Sequence, residues 1–141
     1  MDKQKNALSD SIPCLFYILL SFLVFLPLIF SQKWIQTHEG IRYLCLFDMF
    51  KEAFLSGILY PRWFPDYCGG YGYPVFVYYQ PGFFYALLAV SAFIPDIFTA
   101  TVFTLIIFLF LGSYGIYRLT ALFCDKVIAF FCGVVFLQTP Y

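Results

Sequence analysis

Charge is the scarcest property of this sequence. Of its 141 residues only 11% are charged, against roughly 25% in soluble proteins, while 62% are apolar against roughly 45–50%. Small domains bury the smaller fraction of their surface, so a chain this short, with aromatics at 24%, cannot enclose its apolar side chains in a water-soluble core. The deficit of charge therefore excludes a soluble globular domain and leaves a lipid bilayer to cover the remainder. Eight basic residues balance eight acidic ones, so nothing attracts a polyanion, and no nucleic acid is expected as a partner. Histidine occurs once, and the five cysteines, Cys14, Cys45, Cys68, Cys124 and Cys132, contain no CxxC pair, which removes a structural zinc site. Cys14 and Cys132 lie in apolar runs, where a thiol behaves as a small hydrophobe. Cys45 and Cys68 read as two unpaired thiols. The apolar runs themselves hold almost no ionisable residue, so the usual marks of an ion path are missing and a small transporter or channel ranks last.

What is present is a series of apolar runs around one polar segment. From Pro13 to Ser31 the chain reads PCLFYILLSFLVFLPLIFS without a charge, and nineteen helical residues span roughly 28 Å, about the hydrocarbon thickness. A cleaved signal peptide is the competing reading, since Lys3 and Lys5 precede the run. The stretch is longer than a usual signal core, however, and no small-x-small site follows it, which favours a retained span. Pro27 falls near its outer end, where it can kink the helix. The expected organisation is all-α and polytopic: a polar N-terminus over 1–12, a first transmembrane helix over 13–31, an outer loop over 32–80, a second span over 81–95, a third over 97–118, and over 127–141 the start of a truncated fourth. The second block, GFFYALLAVSAFI, is short for a span and is completed in this reading by the aromatic run Phe76 to Tyr79. The Pro95-Asp96 pair fits a tight turn between two antiparallel helices. The chain reads as a fragment of a longer protein.

Residues 32–80 hold nearly all the polar chemistry and are the place to look for function. Over about 40–56, helical spacing gathers Tyr43, Leu46, Phe47, Phe50 and Phe54 on one side and Arg42, Asp48, Lys51 and Glu52 on the other, the pattern of an amphipathic helix lying in the membrane interface. Gly57 follows its last turn as a C-cap, and Pro61 prevents its resumption. The next segment, YPRWFPDYCGGYGYPVFVYYQPGFFY, is so rich in Gly, Pro and aromatics that it fits neither helix nor strand and is expected to be an ordered coil. Its aromatic faces, Trp63, Tyr67, Tyr71, Tyr78 and Tyr79, suit either a headgroup belt or a sugar ring. His38 and Glu39 stand just outside the first span. Chemistry on a phosphate-linked donor needs a carboxylate to take a proton or hold a divalent cation, and cations to steady the leaving phosphate. Glu39 fits the first role, as base or metal contact, and Arg42 and Arg62 the second. The remaining candidates for substrate binding are His38, Trp63, Asp66, Tyr78, Tyr79 and Gln80.

A first span, an acid directly after it, an amphipathic helix, then G-I-L-Y-P-R-W-F-P-D (57–66) and G-Y-G-Y-P-V-F-V-Y-Y-Q-P (70–81) before the next apolar block resemble the N-terminal part of a multi-pass GT-C glycosyltransferase. The nearest resemblance is to bacterial membrane proteins labelled 6-pyruvoyl-tetrahydropterin synthase-related, a label that carries no pterin chemistry here. Gly115 to Leu119 and Thr139-Pro140-Tyr141 fit the family's next segments. The resemblance implies transfer of a polyprenyl-phosphate-linked sugar to an extracytoplasmic acceptor, in the bacterial cytoplasmic membrane, with Glu39 at the position of the catalytic acid. Many relatives carry aspartate there, so glutamate departs in side-chain length. It also implies a longer chain, without which this portion would be inactive. A cytoplasmic N-terminus and an extracytoplasmic loop 32–80 follow, and with three consecutive crossings Arg118 and Lys126 would stand outside, against the positive-inside tendency. A different class remains open: a non-catalytic polytopic protein, a lipid-docking or assembly subunit, in which Glu39 is dispensable.

Overall fold

The computed structural model describes residues 2–31, 33 and 40–139. Among these residues it is all-helical: α1 (Asp2–Ser31), α2 (Gly40–Leu55), α3 (Val75–Tyr78), α4 (Gly82–Ser91), α5 (Ile97–Thr120) and α6 (Lys126–Leu137), with an isolated antiparallel bridge between Phe64 and Tyr73 in place of a sheet. Two compact units partition the chain. The middle unit is Lys33–Thr101; the terminal unit joins Met1–Gln32 to Val102–Tyr141.

Two helices are long and apolar enough to cross a membrane, Ile12–Ser31 within α1 at mean hydropathy 2.6 and Ile97–Thr120 at 2.1. A core helix of a soluble protein would be mostly buried, whereas only 11% and 28% of these windows are. Their apolar side chains therefore remain to be covered by something outside this fold.

In the terminal unit, packing centres on Tyr17, which is fully buried and donates its hydroxyl to the Phe130 carbonyl at 2.7 Å. Its ring lies 5.9 Å from Tyr117 and 5.7 Å from Phe130, within the contact range of aromatic pairs. A small residue lets this happen: a Cβ on Gly133 would collide with the Tyr17 hydroxyl and come 2.8 Å from the Ser113 carbonyl oxygen. Close backbone approach at small residues is the usual way helices pack without a hydrophobic driving force.

The middle unit has its own core. Leu46, Phe47 and Phe50 of α2 bury against Phe64, Val75, Phe76, Phe84 and Leu87, each large side chain contributing about 1.5–3 kcal/mol of burial. Phe50 is the hub, its ring within 5.0–6.3 Å of Phe54, Phe76, Phe84 and Tyr85. α2 ends in a Schellman motif, with Gly57 N–H to the Phe54 carbonyl and Ile58 N–H to the Ala53 carbonyl, both at 3.0 Å. Gly57 adopts φ 96° to make it, as a C′ glycine should. At the other end of the unit Asp96 caps α5, its carboxylate accepting from the Thr99 N–H at 2.8 Å and the Thr99 hydroxyl at 2.5 Å.

The span expected over 13–31 coincides with the apolar window Ile12–Ser31, in a helix that runs from Asp2 with Pro13 inside it. Two expectations change. α4 is ten residues, Gly82–Ser91, about 15 Å and half a bilayer. The run Phe76 to Tyr79 does not extend it, because the chain is extended at Tyr79 and Pro81 supplies no N–H to carry helical bonding through; the coil before it also winds into the single turn of α3. Finally, the apolar stripe of α2 does not lie against lipid, since protein covers its centre at Leu46, Phe47 and Phe50.

Candidate functional site

Arg42, in the first turn of α2, is held by two tyrosines of the middle unit. Its Nε donates to the Tyr67 hydroxyl at 2.7 Å, and the guanidinium carbon sits 5.8 Å from the Tyr67 ring centroid and 5.9 Å from that of Tyr73. The two rings, 5.9 Å apart, thus form a cradle that holds the guanidinium through a hydrogen bond to Tyr67 and cation–π contacts with both rings.

That cradle depends on the backbone between them. Phe64 and Tyr73 exchange N–H to carbonyl bonds at 3.1 and 3.0 Å, and the Tyr67 carbonyl accepts from Gly72 N–H at 2.9 Å, so residues 65–72 close into a compact turn with Tyr67 and Tyr73 at its base. Gly72, at φ 75°, is packed under Trp63, whose indole would meet any added Cβ. The turn is anchored to the core through Phe64, whose ring is 5.5 Å from Phe76.

Arg42 also lines a small cleft of about 10 Å³ with Tyr43, Leu46, Val75, Tyr79 and Phe84. That volume admits about one water-sized group, such as a single phosphate oxygen. A positive charge held rigidly beside aromatic faces can pair with an anion whose attached group spreads over the adjoining surface.

No family model, curated protein or solved structure matches the chain. The site must be judged on its own residues. Of the substrate-binding set expected from the sequence, Arg42 and Tyr79 come together at the cleft. Arg62, exposed on the α2–α3 connection, lies over the Tyr60 ring at 5.5 Å instead. Trp63 is half-exposed against Gly72, Asp66 and Gln80 are exposed, and Tyr78 is largely so; none of these four lines the cleft. His38 and Glu39, including the base and metal roles of Glu39, lie outside the described residues. Among the described residues no three His, Cys, Asp or Glu side chains gather as a metal would require.

Tyr73, which shares the hold on Arg42, was missed by sequence reasoning, and Tyr67 was read only as an aromatic face. A signal existed: two tyrosines flank a Cys-Gly-Gly-Tyr-Gly stretch, the composition of a reversal that returns them to the same place. Nothing in the sequence pointed from that turn to the start of α2.

Proposed function

We propose that this chain is the N-terminal portion of a membrane glycosyltransferase that moves a sugar from a polyprenyl-phosphate donor to an extracytoplasmic acceptor. The observation that carries the reading is the placing of Arg42 between Tyr67 and Tyr73, three residues after Glu39 in sequence and among the cleft-lining residues. In this scheme Glu39 removes the proton from the acceptor hydroxyl, the acceptor oxygen bonds to the anomeric carbon, and the bond from that carbon to the phosphate oxygen breaks. The departing polyprenyl phosphate carries the electron pair and faces Arg42, whose charge and orientation are already set before the bond breaks.

The same proposal includes a topology in which α1 and α5 are consecutive crossings and the chain between them stays on the outer face. Its support is the length of α4, about half a bilayer, together with charge. With two crossings, Arg118 and Lys126 join Lys3 and Lys5 on the cytoplasmic side, which removes the conflict at those two residues, while Lys33, Arg42, Lys51 and Arg62 stand outside.

The test is sugar transfer in membranes by the complete protein carrying Glu39→Gln, at expression matched to the unmodified chain. A fall of about 10²–10⁴ fold with normal insertion is expected for loss of a general base. Unchanged transfer would sink the assignment and favour the non-catalytic reading. Arg42→Ala should lower transfer as well, and by more than Arg62→Ala.

A further inference from the structure

The centre of the apolar stripe of α2 is buried inside the middle unit, yet three exposed aliphatic side chains crowd into the five residues from Leu55, the last of the helix, to Leu59. Leu55 is 73% exposed, Ile58 55% and Leu59 65%. This is not a loose segment. The Schellman bonds at Gly57 and Ile58 hold its start, the Tyr85 hydroxyl donates to the Leu59 carbonyl, and the Tyr60 hydroxyl donates to the Phe76 carbonyl at 2.7 Å. A turn tied down at four points displays aliphatic groups to whatever surrounds it. Next along the chain come Tyr60, Arg62 over its ring, and the half-exposed Trp63.

The order is aliphatic, then aromatic and cationic, which is the order in which a bilayer changes from acyl chain to headgroup phosphate. The surroundings are also constrained by the chain. The middle unit begins two residues after α1 ends at Ser31 and contains the first turn of α5 from Ile97, so each of its ends is joined to a helix of membrane-crossing length and apolarity.

We infer that the Leu55–Trp63 turn is a lipid-binding surface. Leu55, Ile58 and Leu59 enter the boundary between headgroups and acyl chains, Tyr60 and Trp63 lie at headgroup level, and Arg62 pairs with a lipid phosphate. The surface docks the middle unit to the bilayer, and does so whether the protein transfers sugar or not.

Trp63 reports on this directly once the other tryptophan is removed with Trp34→Phe. The full chain is reconstituted into vesicles of phosphatidylcholine and phosphatidylglycerol containing phospholipid brominated either near the headgroup end of the acyl chain or near its tip. Trp63 emission should be quenched about twofold more by the shallow bromine than by the deep one, as the interfacial depth of about 5–10 Å requires. Adding Leu55→Ser and Leu59→Ser should remove most of that quenching. Quenching by aqueous acrylamide without quenching by either brominated lipid would overturn the inference, with no variant at the turn needed. So would emission that tracks the protein-to-lipid ratio, which would make a second copy the occupant.

Discussion

Gly133 and Gly72 illustrate how single atoms decide this fold. Replacing Gly133 by alanine drives a methyl group into the Tyr17 hydroxyl and the Ser113 backbone, and the backbone cannot yield as a side-chain tip would. Gly133→Ala should lower stability by about 1–3 kcal/mol, read as a fall in thermal midpoint in detergent. Tyr17→Phe keeps the ring and loses only the bond to Phe130; about 0.5–1.5 kcal/mol is expected, so its midpoint should fall less than that of Gly133→Ala. At Gly72 the strain of φ 75° adds to the clash with the indole. Gly72→Ala should therefore shift Trp63 emission toward that of a water-exposed ring while leaving the terminal unit's midpoint unchanged. Both glycines are plain letters in the sequence, and neither Tyr17 nor Trp63 is near enough in sequence to Gly133 or Gly72 to announce the contact.

At the scale of elements, α2 was legible because its periodicity, its glycine cap and Pro61 agree on one helix. Periodicity shows that a stripe will be buried and is silent on what buries it, and so lipid was expected where Phe76 and Phe84 stand. Helix α5 has a start that responds to pH. The Thr99 hydroxyl and then the Thr99 backbone N–H bond the Asp96 carboxylate and hold its pKa below the usual carboxylate value. A carboxylate depressed in the folded state stabilises the helix start fully above its unfolded pKa, and that stabilisation is lost as pH falls through the lower, folded one. Protection of the first-turn amides of α5, measured against their intrinsic exchange rate at each pH, should accordingly fall on acidification. Asp96→Asn, which still caps, should flatten that acid response.

For the whole molecule, the decisive measurement is the sidedness of native cysteines. Cys68 in the middle unit and Cys124 after α5 are both free and exposed. With α1 and α5 as consecutive crossings they face opposite compartments; had α4 crossed as well, they would face the same one. In single-cysteine variants in intact cells, an impermeant maleimide should label Cys68 at once and Cys124 only after permeabilisation. Labelling of both from outside would restore the three-crossing arrangement and return Arg118 and Lys126 to the outer face.

Composition and the length of the uncharged runs by themselves pointed to helices apolar enough for a membrane, because 62% apolar residues with 11% charge exceed what a small soluble domain buries. Runs without charge located α1 and α5, and the residues of 32–80 marked the polar chemistry. Only the tertiary structure decided that α4 stops at Ser91, that the stripe of α2 is inside, and that Arg42 rests between Tyr67 and Tyr73. The last two outcomes depend on partners far along the chain, such as Tyr67 for Arg42 and Phe84 for Phe50, 25 and 34 positions away. Hydropathy and periodicity sum over neighbours in sequence, whereas packing and cation–π contacts are settled by neighbours in space.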